Sequence, residues 1–389
     1  MNLRNFIWSP MGNLVHETGA KRRAGTPPID IPRAVVAMLA ILVASCGVPA
    51  RGPASQGLSS TDLPTRSLAA ASGAVFGLAW LKDGSLVFVQ DPNVVGSGTV
   101  APYQTLRLDP KTGGVQSVAV QPDVRCLQSH FQTPSALPDG RIALSEACEL
   151  SATKAIPDGH RIVGVDSISG HQQILVDNLS FLPQESSWNP AGDRAVTSDF
   201  ELSLCPALVW LGANGVEDHA INARGFNQDW RLDEPRPGTR GSDCQGLARA
   251  QFPRWSPDGK AIAVVASPPS PKDGMARIND PWDLYTVAVG TLVPSRKVTG
   301  LLHPVGLAWS PDSQRLAFSA RLAGLDGTWI YDLRGGKPGQ VSRLILQWLA
   351  WSPDGRNLAG LVDKGASPGA PINNQLTIVD LSGILGSGP

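Results

Sequence analysis

Five cysteines are the residues of this chain whose chemistry is easiest to read, and their positions divide them into two groups. Cys46 directly follows the strongest apolar run, Ala34 to Ser45 (AVVAMLAILVAS), which Lys21, Arg22, Arg23 and Arg33 precede. A run of about a dozen residues is too short to cross a bilayer. A basic region, a short apolar core and small residues before a processing point describe an export signal. Val43-Ala44-Ser45-Cys46 has the form of a bacterial lipobox, so Cys46 is expected to be lipidated and to become the mature N-terminus. The basic region lies far from Met1, which also fits a start near Met11. Cys126, Cys148, Cys205 and Cys244 then remain, an even number that fits two disulfides in an oxidising compartment.

Other reactive patterns are thin. Gly365-Ala366-Ser367-Pro368-Gly369 has the spacing of a nucleophile elbow, but proline follows the serine and no strand-turn-helix context surrounds it. The six histidines form no HExxH and no close pair with cysteine, so zinc is not indicated. No phosphate-cradling glycine loop is present. No cofactor is expected; a calcium ion in a central channel would need carboxylates that the sequence does not single out. The formal charge is zero over the 389 residues, and the basic residues before Cys46 leave a slight acidic excess after it. Nucleic acid is therefore not an expected partner, since phosphate binding calls for clustered Lys and Arg.

The elements that must position any site come from a repeat. High glycine and proline content (41 and 33 residues) disfavours helices and suits a turn-rich β protein. One pattern returns six times: AWLKDGSLVFV (79–89), ALPDGRIALS (136–145), SWNPAGDRAVTS (187–198), RWSPDGKAIAVVA (254–266), AWSPDSQRLAFSA (308–320) and AWSPDGRNLAGLV (350–362). Each ends a strand on an apolar anchor (Trp80, Leu137, Trp188, Trp255, Trp309 or Trp351) and turns tightly. Proline presets φ, aspartate (Asp83, Asp139, Asp258, Asp312, Asp354) bonds the turn backbone, and glycine accepts positive φ. Ser313 and Asp193 make two of these turns irregular. Tryptophan and aspartate at these positions read as structural, not catalytic.

A third strand and turn recur downstream: 106–114, 163–170, 209–215, 284–290, 329–336 and 377–383. QSVAV (116–120), QQILV (172–176) and RKVTG (296–300) supply fourth strands. Anchors roughly 40 to 70 residues apart match four-stranded blades with variable loops. The expectation is an all-β chain: a six-bladed β-propeller of four-stranded blades. Its organisation is a signal over 1–46, a flexible Pro/Gly/Ser-rich tether over 47–72 and the propeller over 73–389. The last repeat lacks a fourth strand, and an open edge is unfavourable. RSLAAA (66–71) is expected to fill it, closing the ring with an N-terminal strand.

Trp-Ser-Pro-Asp-Gly before an apolar strand resembles the WD40-like repeat of the TolB-type propellers, periplasmic proteins of the Tol-Pal system, and of related propeller lipoproteins. The resemblance covers about residues 75–383 and is sharpest at 255–259, 309–312 and 351–355. TolB-type chains carry an α/β domain ahead of the propeller, whereas a signal and tether precede the first repeat here, so the family's own partner does not transfer. The same repeats occur in propellers attached to prolyl-oligopeptidase hydrolases, for which no residues remain.

Strand order puts all four remaining cysteines on one face of such a ring, with Cys126 near Cys148 and Cys205 near Cys244. Those two disulfides are expected. The longest irregular segment, 223–251, lies on the same face and carries Trp230, Arg231, Asp233, Glu234, Arg236, Arg240 and Asp243. A tryptophan amid charges suits a partner surface, and equally a loop whose tryptophan packs on the body. The functional expectation is a monomeric, lipid-anchored module of the cell envelope that binds a protein or cell-wall component. The alternatives are a lactonase-type or sugar-dehydrogenase-type propeller enzyme and a glycan or small-molecule sensor.

Overall fold

The computed structural model describes residues 62–70, 74–91, 103–126, 128–149, 159–179, 183–199, 207–212, 215–216, 249–267, 281–363 and 374–384. These residues are all strand and turn, without a helix. No helix among them is long and apolar enough to cross a membrane. Cys46, Cys205, Cys244, the Trp230 loop and the Gly365–Gly369 pattern lie outside the described residues.

Strand β1 (Thr65–Ala70) precedes the first repeat. The first sheet is β2 (Ala74–Trp80), β3 (Leu86–Asp91), β4 (Gln104–Leu108) and β5 (Val115–Ser117). The second is β6 (Gln128–Ala136), β7 (Ile142–Glu149), β8 (His160–Val165) and β9 (Gln172–Leu179). The third is β10 (Gln184–Trp188), β11 (Arg194–Asp199), β12 (Ala207–Gly212) and β13 (Gly215–Val216). A seven-stranded sheet follows: β14 (Arg249–Trp255), β15 (Ala261–Ser267), β16 (Trp282–Ala288), β17 (Pro294–Trp309), β18 (Arg315–Leu322), β19 (Leu325–Asp332) and β20 (Gly339–Ser342). Its long strand β17 serves twice: Pro294 to Leu301 pair with β16, and Leu302 to Trp309 pair with β18. The last sheet is β21 (Gln347–Trp351), β22 (Asn357–Asp363), β23 (Asn374–Asp380) and β1. All pairings are antiparallel, giving a propeller-like set of sheets.

β1 lies at the outer edge of that last sheet, with Arg66 opposite Ile378 and Ser67 opposite Thr377. It falls one residue earlier than the 66–71 segment expected there. Asp380 N donates to Pro64 O and Leu63 N donates to Val341 O, so the same segment touches β23 and β20.

The strands bury both faces, which explains their near-continuous apolar runs. On β3, Leu86 and Phe88 pack toward β21 and β22, while Val87 and Val89 pack toward the second sheet. The core is correspondingly divided into six clusters, each lying between consecutive four-stranded units. The sixth returns from the last sheet to the first, joining Ala350, Leu361 and Ile378 to Val75, Leu86 and Phe88.

The repeat turns work as their residues suggest. Ser256 Oγ donates to Asp258 Oδ1 (2.7 Å) while accepting from Ala261 N (2.9 Å), and Lys260 N donates to Asp258 Oδ1 (3.1 Å). Ser310 with Asp312 and Ser352 with Asp354 repeat the arrangement. Burial pushes the carboxyls of Asp83, Asp139, Asp258, Asp312 and Asp354 upward. Hydrogen bonds from serine or arginine side chains and from backbone N–H groups outweigh it and hold all five below the usual range. At the two irregular turns, Ser313 itself takes φ +58, and Gly192, one residue before Asp193, takes φ +74.

One anchor is corrected. Leu137 N bonds Arg141 O as Ser256 N bonds Ala261 O, so Leu137 occupies the serine position and Ala136 stands where the other units have tryptophan. The second sheet therefore has no anchor tryptophan.

Candidate functional site

The first strand of each four-stranded unit, here called the inner strand (β2, β6, β10, β14, the second half of β17, and β21), carries a feature that the linear pattern does not announce. Each has extra residues relative to its partner, two or three positions before the anchor in five of them and four to six positions before Trp309 in β17. The register shifts between Phe76 and Leu78, Gln132 and Ser135, Gln184 and Ser187, Gln251 and Arg254, Leu302 and Gly306, and Gln347 and Ala350. At these bulges the backbone turns left-handed: Gly77 (φ +69), Thr133 (+40), Glu185 (+59), Phe252 (+55), His303 (+50) and Trp348 (+55). Such a conformation costs a non-glycine residue about 1 kcal/mol or more and re-aims its side chain.

The bulges touch from sheet to sheet. A Cβ on Gly77 would stand 2.8 Å from Thr133 Cα and 2.7 Å from Pro134 Cδ. Glu185 N donates to Thr133 Oγ1 at 3.4 Å. Arg254 Nη2 lies 3.0 Å from Glu185 Oε2, a charge contact without hydrogen-bond alignment, and Arg254 Nε donates to Leu307 O at 3.0 Å. A Cβ on Gly306 would meet Leu346 O and Leu349 N at 3.1 and 3.2 Å. Burial pushes the Glu185 carboxyl above its ordinary range, and the Arg254 charge only partly opposes this. The signals available in the sequence were Pro134, Pro253 and Pro304, since a proline inside a strand-like run marks a bulge or an edge.

A second cluster clamps the connection from β5 to β6. Glu146 on β7 is fully buried and accepts from Asp123 N (2.9 Å), Ser129 Oγ and Arg161 Nε. Arg161 Nη1 lies 3.4 Å from Asp123 Oδ2, and Arg125 binds the same carboxylate through Nε and Nη2. The hydrogen bonds from Arg125 lead the causes that hold the Asp123 pKa down at about 2. Beside this network Cys126 and Cys148 form a disulfide, with Cα atoms 5.3 Å apart. That is the first of the two expected pairs.

The repeat residues belong to the frame. Trp80 and Trp351 donate to their own turns at Gly84 O and Gly355 O, while Trp309 donates across to Arg254 O. Trp255 packs edge-on against Trp210 at 5.0 Å, and Trp188 is buried between the second and third sheets. Among the described residues no three His, Cys, Asp or Glu gather as a metal set.

No family model matches the chain, and no curated protein matches it in sequence. Similarity appears among solved structures. TolB from Acinetobacter baumannii is 14% identical with a TM-score of 0.46; the match covers 79% of this chain and 64% of that one, just under two thirds of its length. An oligogalacturonate lyase in complex with manganese is 12% identical with a TM-score of 0.46, covering 83% and 98%. Hydrazine synthase of Kuenenia stuttgartiensis is 13% identical with a TM-score of 0.45, covering 85% and 99%. Likenesses this distant carry no argument about ligand or activity, so the fold stands on the sheets' own pairing and the function on the residues above.

Proposed function

We propose that this chain is an exported, lipid-anchored β-propeller of six blades, closed by β1, that serves the bacterial cell envelope as a monomeric interaction module for a protein or cell-wall component. Six core clusters with the last returning to the first support the ring. The pairing of β1 with β23 supports closure through the chain's two ends. A disulfide on a solvent-facing connection supports an oxidising compartment.

The observation that carries the interaction reading is the double bracing of the β5 to β6 connection, ionic through Glu146, Arg161 and Asp123 and covalent through Cys126–Cys148. A rigid connection keeps a contact surface preorganised and lowers the ordering cost of binding. The segment with Trp230 and Arg231 stands in the chain between β13 and β14, the fourth-to-first connection of the third unit, and strand order alone assigns it to the face that carries the β5 to β6 connection. Cys205 and Cys244 would brace that connection in the same way.

The test is envelope crosslinking of the full chain expressed with its own signal. Metabolic palmitate label should appear on the wild type and vanish in Cys46→Ser, and a crosslinked species should weaken in Trp230→Ala. Label absent from the wild type removes the anchor, and crosslinks indifferent to Trp230 remove the loop from the interface.

One observation favours the enzyme alternative: Glu185 is a buried acid with a raised pKa on a strained backbone. The same strain recurs at Thr133, Phe252 and Trp348, where no acid stands, so it belongs to the repeat and not to a reactive centre.

A further inference from the structure

The second sheet departs from the repeat at one position, and the departure leaves a space. Ala136 stands where the other five units carry Trp80, Trp188, Trp255, Trp309 and Trp351. Each of those indoles packs between its own sheet and the one before it: Trp188 lies with Leu137 and Ala143 of the second sheet, Trp255 with Val196 of the third, and Trp309 with Ala263 of the fourth unit. Between the first and second sheets the same positions are present without the indole. Leu81, Val87, Ile142 and Val165 correspond in register to Leu137, Ala143, Ala195 and Leu211, so the two clusters match at these positions and differ at the anchor.

Larger neighbours do not take up the room. Val87 and Ile142 are bulkier than Ala143 and Ala195, but Val196 and Ile262 hold these same two positions beside Trp255, which is still 7% exposed. A leucine at the position of Leu81 is equally compatible with an indole, as Leu137 and Trp188 show. Ala136 itself is exposed, whereas Trp188 is covered to 9%. Interiors pack with few gaps, so this junction is short of one aromatic ring and open to water beside the repeat turn. One edge of the gap is charged. In the third sheet Trp210 stands opposite Val196 and meets Trp255 edge-on; in the first sheet Arg107 stands opposite Val87, in the same register. Its guanidinium is fixed by Asp83 Oδ2 at 2.6 Å and Ser85 Oγ at 3.0 Å. A guanidinium held beside an apolar floor stacks on aromatic faces. Lys82 Nζ donates across the same junction to Pro138 O.

We propose that the gap at Ala136 is a slot for an aromatic side chain, tryptophan above all, which a partner protein inserts between the first and second sheets. Val87 and Ile142 form its floor, and Arg107 lies against the guest ring. The repeat itself sets the size of the occupant, since it seats an indole at this position in every other unit. Tryptophan is also the side chain that most often anchors a protein interface. The proposal rests on the interaction reading in one respect, that the guest belongs to a protein; it uses neither the closed ring, the lipid anchor nor the Trp230 loop.

The probe is a ring-fluorinated N-acetyltryptophanamide, followed by fluorine NMR as the full chain in lipid nanodiscs is added. A saturable shift is expected with the wild type and at least tenfold weaker binding with Ala136→Trp, whose own indole fills the slot. Ala136→Trp should also unfold at a higher urea concentration than the wild type. Leu325→Trp, which adds a tryptophan at the exposed start of β19, should bind as the wild type does. Unlabelled N-acetyltryptophanamide should displace the probe and N-acetylleucinamide should not. No saturable shift with the folded wild type, equal binding by Ala136→Trp, or displacement by the leucine amide as readily as by the tryptophan amide would each overturn the slot. So would an Ala136→Trp chain that unfolds more easily or fails to fold, because it would show that the junction has no room for an indole. The envelope crosslinks through Trp230 would be unaffected by these results, so failure here is separable from failure of the interaction reading.

Discussion

Replacing Gly77 by alanine tests the contact between neighbouring bulges, because two separable penalties meet at that residue. Its φ of +69 is unfavourable to any side chain, which costs alanine about 1 kcal/mol. The added Cβ would also stand 2.8 Å from the backbone Cα of Thr133 and 2.7 Å from Pro134 Cδ, and neither atom can rotate away. Overpacking against an unyielding wall adds about 1–3 kcal/mol. Reduced freedom of the unfolded chain returns about half a kcal/mol. The net loss should be about 2–3 kcal/mol. Gly84 provides the control: its φ is +86, but a Cβ there meets nothing within 4 Å, so Gly84→Ala should lose only the backbone share less the same unfolded-chain return, about half a kcal/mol. Urea unfolding of both variants in parallel, followed by tryptophan fluorescence, isolates the steric part. Equal losses for the two glycines would refute the packing of β2 against the β6 bulge.

Reducing Cys126–Cys148, which closes a loop of 22 residues, should cost about 3 kcal/mol by loss of loop closure, read as a lower urea midpoint with dithiothreitol. Non-reducing peptide mapping should recover the two cysteines in one linked peptide. Glu146→Gln should destabilise by about 3 kcal/mol, since it leaves the buried Arg161 with only the longer charge contact to Asp123, and Glu146→Asp should fail to restore the loss. Asp123 has its folded pKa lowered to about 2. Its contribution is therefore present above the unfolded value near 4 and is lost as pH falls toward 2, so the stability gap between wild type and Asp123→Asn should close over that interval. Thermal unfolding midpoints from pH 6 to pH 2 would check the direction.

What was legible in the sequence follows from what each residue must do alone. Pro-Asp-Gly announces its turn because proline and glycine fix the backbone locally, with no help from distant contacts. The central strands were legible because both faces are buried, as on β3. Outer strands were less so: β5 has three residues, all exposed, and β13 has two, too few to show a pattern. Leu137 misled because Ala136 replaces the usual tryptophan, leaving leucine as the only large apolar residue near the turn. The clamp had one early sign, Glu146 in the middle of β7 between apolar residues of the run IALSEACE, since a buried carboxylate requires a partner. Which arginine would supply it depended on register, with Glu146 opposite Arg161, and no local pattern encodes that pairing. The bulge row was hidden because glycine, threonine, glutamate, phenylalanine and tryptophan share its position, united by backbone conformation and not by side-chain type.

Closure of the chain upon itself is the claim from which the ring and the shared face both descend. Ser67 and Thr377 are directly paired across β1 and β23. In a variant carrying Ser67→Cys and Thr377→Cys, mild oxidation should join the two ends within one molecule. The linked form should run faster on a non-reducing gel and unfold at higher urea concentration. Intermolecular dimers, or free thiols that persist at both positions in the folded protein, would contradict the account.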